Sequence, residues 1–206
     1  MRRVGLLMLF SGLGLWLAAE SMEGHGPLAT TETRHLRAMK DRAQAPAGCM
    51  DMALADFPAL PARLPLAEFE RIERRGIRVE GYVQRIESAF DGDLHLTVVA
   101  APSAAPGRGE RYVSAEITPR WREGSRYWTL EGLAEALGSH HSGAASGARH
   151  PRRARLSGWF TYDFWFDALP AWAFDRERRV TGWEIHPVTR IEVWDDAEAK
   201  FVELPR

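Results

Sequence analysis

Hydrophobic and polar residues alternate along five short stretches between residues 77 and 194, which is the pattern of β-strands with one buried face. The stretches, in chain order, read IRVEGYVQRIES, LHLTVVA, RYVSAEITP, ARLSGWFTYD and GWEIHPVTRIEVW. The first two are separated by AFDGD, whose Asp-Gly pair is typical of a hairpin turn. The alternation therefore predicts five strands, the first two of which form a β-hairpin.

One helix interrupts the strands, in the segment YWTLEGLAEALG. Thr129 is a good N-cap residue, Gly138 is a good C-terminal stop, and the leucines between them recur at helical spacing. The predicted order is strand, strand, strand, helix, strand, strand, which is the order of the OB-fold. We therefore predict a mainly β fold: an OB-fold-like barrel of five antiparallel strands, with one helix between strands 3 and 4 and an irregular N-terminal arm.

Residues 1–21 have the pattern of a signal peptide, because Arg2 and Arg3 precede an apolar run of 16 residues. A membrane span needs about 20 residues, so the short run favours a cleaved signal over an uncleaved anchor. A cleaved signal predicts a periplasmic or secreted protein. If the segment is not cleaved, we expect it to be the part of the chain that contacts a membrane.

The rest of the chain divides into three predicted segments. Residues 22–75 form an N-terminal arm with short helices, because prolines interrupt any longer regular structure. Residues 76–194 form the barrel domain, with a mobile loop at 138–153 and an aromatic insert at 164–180. Residues 195–206 form a C-terminal tail.

Composition narrows the classes of function. The formal net charge is −1, so no overall basic field favours nucleic acid as a partner. Cys49 is the sole cysteine, which excludes an internal disulfide, and no Cys-His pattern surrounds it. The sequence also lacks a phosphate-binding glycine loop and a Ser-His-Asp spacing, so no motif demands a cofactor or names a reaction.

Acidic residues and histidines occupy alternate positions of the predicted strands. Asp93 and His95 share one face of the second strand, Glu116 lies on the third, and His186 lies on the fifth. If these faces converge, the four side chains form a mixed nitrogen and oxygen set suited to Zn²⁺ or Mn²⁺. The alternative, which the pattern favours, is a structural polar network without a metal. Secondary candidates on or beside the same strands are Asp91, Asp163 and Glu184.

The aromatic run GWFTYDFWFDALPAWAF predicts a binding surface. Aromatic rings on OB-folds stack on bases or sugars, and strand alternation leaves part of this run outside the core. The candidate surface residues are Trp159, Trp165 and Trp172. The partner that we expect is a protein or small-molecule ligand of unknown identity, and the net charge disfavours nucleic acid.

The segments DGDLHL, AEITP, SGWFTYD and WEIHPVTRIEV resemble a family of exported bacterial OB-fold-like proteins with no assigned activity. In that family a D-x-H strand, a glutamate-bearing strand, a V-T-G strand and an E-x-H-P-V strand follow in this order. The resemblance covers about residues 76–194. It departs at Leu156-Ser157-Gly158, where V-T-G is expected, and at the insert 164–180, which is longer than the family's connection.

Asp91-Gly92-Asp93 also resembles the calcium-binding turn of thermonuclease-type OB-folds, which would make Asp93 a ligand. The segment that carries the arginine and remaining acids of those nucleases is missing, so nuclease activity does not follow. We therefore expect an exported OB-fold-like binding or scaffolding module. A metal-dependent hydrolase that uses Asp93, His95, Glu116 and His186 is the alternative, and a single-stranded nucleic-acid binder ranks third.

Overall fold

The computed structural model describes residue 24 and residues 29–103, 110–143, 149–170 and 177–206. The predicted signal peptide and Trp172 lie outside these ranges. The strands are β1 (Cys49–Met52), β2 (Gly76–Ser88), β3 (Leu94–Val99), β4 (Val113–Ile117), β5 (His140–His141), β6 (Arg153–Tyr162), β7 (Trp183–Asp195) and β8 (Lys200–Glu203). The α-helices are α1 (Thr31–Lys40), α2 (Leu66–Ile72), α3 (Pro119–Arg122), α4 (Leu130–Leu137) and α5 (Trp165–Ala168), and a 3₁₀-helix spans Leu54–Ala59.

Five of the strands close into a barrel in the order β2-β3-β4-β7-β6, with β6 pairing back onto β2. This closure and strand order confirm the predicted OB-fold-like barrel. The prediction that all five strands are antiparallel is wrong at one pairing, because β4 and β7 run parallel where Ala115 faces Ile185. The chain between them contains α4 and β6, and a long crossover of this kind is what a parallel pair requires.

The predicted helix is α4, and its ends are made by the residues expected. The hydroxyl of Thr129 accepts a hydrogen bond from the amide of Gly132, and Gly138 ends the helix in the left-handed region at φ 65°. The buried face carries Leu133, Ala134 and Leu137 and packs on β2. The structure adds the short helix α3 directly after β4, so the described part of the connection between the third and fourth barrel strands holds two helices.

An aromatic cluster fills one part of the core and ties the N-terminal arm to the barrel. Phe160 of β6 stacks on Trp183 of β7, with ring centroids 4.4 Å apart. Phe69, from α2 in the arm, stacks on Tyr162 at 4.3 Å. Burial of each such side chain stabilises the fold by about 1.5 to 3 kcal/mol, so α2 belongs to the same core as the barrel.

A β-bulge between β6 and β7 shapes the region around His186. The register slips between Ser157 and Phe160, so Gly158 pairs with Val188 while Phe160 pairs with Ile185. A side chain at Gly158 would collide with the carbonyl oxygen of Pro187, so this close approach requires glycine. Residues 183–189 of β7 are all buried, which means that both faces of this strand are covered at the bulge.

Helix α1 covers one side of that strand. Thr30 caps its N-terminus by accepting a hydrogen bond from the amide of Thr33, and Thr33 and Leu36 are its buried residues. The helix contacts β6 and β7. None of the helices in the described ranges has the length and apolar character that a membrane crossing requires.

Candidate functional site

Three buried side chains from neighbouring strands converge beneath α1. Asp93 directly precedes β3, Glu116 lies on β4 and His186 lies on β7. One carboxylate or imidazole atom of each lies within 4.8 Å of the others, and all three residues are buried. The barrel order explains the convergence, because β3 neighbours β4 and β4 neighbours β7.

The imidazole of His186 is surrounded by three carboxylates. Nδ1 lies 2.8 Å from Glu184 Oε1 and 3.2 Å from Glu116 Oε2, while Nε2 lies 3.2 Å from Asp93 Oδ2. Neither His186 Nε2 nor Asp93 Oδ2 forms a hydrogen bond of acceptable geometry with any described residue, although both side chains are almost completely buried. Asp93 Oδ2 also lies 2.9 Å from Lys40 Nζ, so charge–charge contacts rather than well-formed hydrogen bonds hold these two atoms.

Glu184 orients the ring of His186. A neutral His186 that donates its Nδ1–H to Glu184 presents the Nε2 lone pair toward Asp93. Metal-binding histidines are held in this way, with the second ring nitrogen donating to a carboxylate. The arrangement thus fits His186 as a metal ligand through Nε2.

His95 reaches the same cluster from β3. Its Nε2 lies 3.3 Å from Glu116 Oε2, and the hydroxyl of Ser114 donates to the other Glu116 oxygen at 3.4 Å. The side chain of His95 is 45 % exposed, so water screens its pairing with Glu116. His95 therefore lies at the border between the buried cluster and solvent.

Arg179 joins two of the secondary candidates to the cluster. Its guanidinium pairs with Asp163 Oδ2 and with Glu184 Oε2, each at 2.9 Å, and its side chain is buried. Asp163 also accepts a hydrogen bond from the amide of Trp165. Arg179 therefore holds Glu184 through Oε2, while Oε1 of the same carboxylate contacts His186.

Lys40, the last residue of α1, supplies the second fixed cation. Its Nζ lies 2.9 Å from Asp93 Oδ2 and donates a hydrogen bond to Asp91 Oδ2. The amide of Asp93 in turn donates to Asp91 Oδ1, which holds the turn before β3 in place. Asp91 therefore reaches the cluster through Lys40.

Negative charge exceeds fixed positive charge in this network. Among the described residues, the network contains two fixed cations, Lys40 and Arg179, and the carboxylates of Asp91, Asp93, Glu116, Asp163 and Glu184. The two histidines are the groups that can compensate by taking up protons.

The pKa values follow this excess. Burial alone would lower the pKa of His186, but Glu116, Asp93 and Glu184 raise it to about 10. Glu116 raises the pKa of His95 to about 9 against the effect of burial. Burial and the nearby Glu116 raise the pKa of Glu184 to about 7. The site therefore attracts positive charge, whether a proton or a cation.

The carboxylates of Asp93 and Glu116 stay ionised. Burial would raise the pKa of Asp93, but His186 and Lys40 outweigh burial and hold the pKa below its ordinary value. Burial likewise opposes ionisation of Glu116, while His95 and His186 hold its pKa well below the usual range. Two buried carboxylates are thus available as anionic ligands at neutral pH.

A cavity of about 300 Å³ opens onto the cluster. Leu36, Arg37 and Lys40 of α1 line it, as do Trp165 and Leu169 of the α5 region. The cluster contributes His95, Glu116, Asp163, Glu184 and His186 to the lining. Phe90, at the tip of the β2–β3 hairpin, also lines the cavity and is 82 % exposed. The cavity can hold a small ligand with polar contacts on one side and apolar contacts on another.

The structure gathers most of the residues that the sequence singled out. Asp93, His95, Glu116 and His186 lie together, Glu184 contacts His186, and Asp163 and Asp91 join through the two fixed cations.

The three candidate tryptophans have different positions. Trp165 lines the cavity. Trp159 lies elsewhere, where its Nε1 donates to the carbonyl of Gln44 and the guanidinium of Arg42 lies 4.2 Å from its ring centroid. Trp172 is outside the described residues.

Sequence reasoning missed Lys40 and Arg179. Lys40 lies in the N-terminal arm, 51 residues before Asp91, and nothing in its local sequence distinguishes it from a solvated helical lysine. Arg179 stands in the basic stretch DRERRV, which is typical of a solvated loop. The predicted strands carry more candidate acids than basic residues, and this imbalance was the sequence feature that could have indicated cations from elsewhere in the chain.

Comparisons with known proteins identify no function. No protein-family profile matches the chain, and no curated protein sequence matches it. Among solved structures, the chain is similar to an aspartyl tRNA synthetase from Entamoeba histolytica, with 13 % identity and a TM-score of 0.33. The similarity covers 79 % of this chain and only 28 % of the synthetase chain, and a TM-score this low supports no functional argument.

Proposed function

We propose that this protein is an exported OB-fold-like binding module whose ligand is a divalent metal ion, Zn²⁺ or Mn²⁺, held by Asp93, Glu116 and His186. The observation that carries the proposal is the convergence of three buried donors, one atom of each within 4.8 Å of the others, in a network where carboxylates outnumber the fixed cations. Burial of charged groups is costly unless an opposite charge lies beside them, so this excess of carboxylates favours a cation at the point where the three donors meet.

The chemistry of the donors supports a borderline divalent metal. One imidazole nitrogen with two carboxylates suits Zn²⁺ or Mn²⁺, whereas Ca²⁺ prefers oxygen ligands alone. Glu184 supplies the outer hydrogen bond that metal-binding histidines need. A bound dication would also balance the excess of carboxylates without protonation of His186.

Isothermal titration calorimetry with Zn²⁺ and Mn²⁺ tests the proposal. The wild type should bind one equivalent, and Asp93→Asn combined with His186→Gln should abolish binding. His141→Gln is the matched control, because His141 lies on β5 and hydrogen-bonds the carbonyl of Ser142, away from the cluster. Wild-type protein that binds neither metal, or a double variant that binds as well as wild type, would contradict the proposal.

Metal-dependent hydrolysis is the second candidate, and two observations favour it. The cavity reaches Glu116 and His186 of the donor set, and the partly exposed His95 lines the same cavity beside Glu116, where it can act as a general acid or base. A metal at Asp93, Glu116 and His186 would lower the pKa of a bound water.

Turnover of activated esters and phosphodiesters by metal-loaded protein separates the two candidates. A hydrolase should lose turnover in His95→Gln while metal is still bound, because His95 lines the cavity but is not one of the three proposed ligands, and His141→Gln should be unaffected. Metal-loaded wild type that binds tightly but turns over none of these substrates supports the binding module and rejects this hydrolase.

A further inference from the structure

The ammonium group of Lys40 lies against one of the proposed metal ligands. Its Nζ is 2.9 Å from Asp93 Oδ2, the oxygen that also faces His186 Nε2. The side chain of Lys40 is 20 % exposed and that of Asp93 only 3 %, so the pair is only weakly screened by water. Glu116, Asp93 and Asp91 raise the pKa of Lys40 above its ordinary value despite burial, so the group is cationic.

A dication and this ammonium cannot share Asp93 Oδ2 without strong repulsion. Both cations would then lie within a few ångströms of each other in a mostly buried site, where charges interact strongly. Lys40 is also attached to α1, whose Thr33 and Leu36 are buried. The ammonium pairs with both Asp91 and Asp93, so its displacement removes the two ion pairs that hold the last residue of α1 to the turn before β3.

Two residues of helix α1, His35 and Lys40, form ion pairs with residues outside the helix. Lys40 holds its C-terminal end to Asp91 and Asp93, and His35 pairs with the fully buried Glu73 nearer its start. The same helix lines the cavity through Leu36, Arg37 and Lys40. Two residues beyond the helix, the carbonyl of Arg42 accepts a hydrogen bond from Trp121 Nε1. Release of Lys40 would therefore loosen the last turn of α1 beside the cavity, while His35 and Arg42 keep the chain attached on either side.

We propose that Lys40 is a built-in competitor for the metal, and that metal binding at Asp93 releases Lys40 and loosens the C-terminal turn of α1 beside the cavity. This inference rests on the proposed metal site. It makes Lys40 the residue that sets the metal affinity, and it couples occupancy of the site to access to the cavity. The occupant of Asp93 alternates between the lysine of this chain and a divalent cation.

Zn²⁺ affinity of Lys40→Met tests the competition. Removal of the competitor should tighten Zn²⁺ binding about tenfold, within the range of about 5- to 150-fold typical of coupled binding equilibria. Arg37→Met is the matched control, because Arg37 is on the same helix and lines the same cavity but pairs with Asp41. This control removes the same charge without touching Asp93, and its dissociation constant should stay within about twofold of wild type.

The outcomes separate this inference from the proposed function. Wild type that binds Zn²⁺ while Lys40→Met binds it equally or more weakly rejects the competition and leaves the metal site standing. Equal tightening in Arg37→Met also rejects it, because a general charge effect would then suffice. Wild type that binds no metal rejects the metal site and the competition together.

Hydrogen exchange on wild-type protein tests the release directly, with Asp93→Asn as the control. Addition of Zn²⁺ should speed exchange of the backbone amides in the last turn of α1, and Zn²⁺ should leave these rates unchanged in Asp93→Asn. Unchanged or slower exchange in Zn²⁺-saturated wild type would overturn the proposed release.

Discussion

His186 carries most of the chemistry of this site, because a single buried imidazole contacts three carboxylates. Its residue type and strand position were predictable from the alternation in WEIHPV. Its protonation was not, because the charge excess arises only after β3, β4 and β7 come together. The sequence pattern favoured a structural network, and without metal the protonated histidine does complete one.

The charge of His186 makes the stability of the metal-free protein depend on pH. Its pKa rises from 6.5 to about 10 on folding, so the folded state binds more protons than the unfolded state between these values. Stability should be fully supported below pH 6.5 and should fall as pH rises toward 10, by at most about 1.4 kcal/mol per pH unit. Glu184, with its pKa raised from 4.5 to about 7, acts in the same direction between those two values.

Urea denaturation at several pH values between 6 and 9 measures this dependence. His186→Gln should reduce the slope, with the partly exposed His95, whose pKa is raised to about 9, supplying part of what remains, while His141→Gln should keep the wild-type slope. A metal-free wild type whose stability is constant or rises across this range would contradict the charged, buried state of His186.

The two histidines of the cluster should differ sharply when replaced by alanine. His186→Ala leaves buried carboxylates without their cation and should cost about 3 to 5 kcal/mol. His95→Ala removes a pairing whose histidine is 45 % exposed, so solvent screening limits its cost to about 1 kcal/mol or less. The free energies of unfolding near pH 6 provide the comparison, and equal costs would show that the exposure of His95 does not control its contribution.

Elements with a local signature were predicted well, and those made by distant contacts were not. Helix α4 followed from Thr129, Gly138 and the leucines between them, because caps and periodicity are local properties. The parallel pairing of β4 with β7 was missed because no local pattern records which strands become neighbours across a crossover. Period-2 alternation also failed on β4, where both faces are buried.

The N-terminal cap of α4 provides a test of how this helix is stabilised. Thr129→Ala removes the hydroxyl that accepts from the Gly132 amide and should destabilise the protein by about 1 kcal/mol. Thr129→Ser keeps an oxygen in the same place and should stay within about 0.5 kcal/mol of wild type. Chemical denaturation compares them, and equal loss in both variants would assign the effect to the threonine methyl group instead of the cap.

The site belongs to the whole molecule, because its parts come from the N-terminal arm, the hairpin turn and three barrel strands. Lys40 approaches from α1, Asp91 and Asp93 from the turn before β3, and Glu116 and His186 from β4 and β7. Strand alternation in the sequence predicted the acids and histidines of the site. The same pattern could not predict Lys40, because the role of this residue depends on how the arm packs on the closed barrel.

Export is a prediction about the whole chain. Arg2, Arg3 and the apolar run after them predict that the segment 1–21 is removed on secretion. Expression in a secreting bacterial host and N-terminal sequencing of the product should give a mature chain that starts near residue 20 to 22. A soluble cytoplasmic chain that still begins at Met1 would contradict export.

Binding of a divalent metal by Asp93, Glu116 and His186 underlies both the proposed function and the release of Lys40. Anomalous diffraction above and below the zinc absorption edge, from crystals grown with Zn²⁺, tests it most directly. We expect one strong anomalous peak about 2.0 to 2.1 Å from His186 Nε2, with Asp93 and Glu116 oxygens around it and Lys40 withdrawn. No peak there, with Lys40 still on Asp93, or a peak only at surface histidines such as His141, would contradict it.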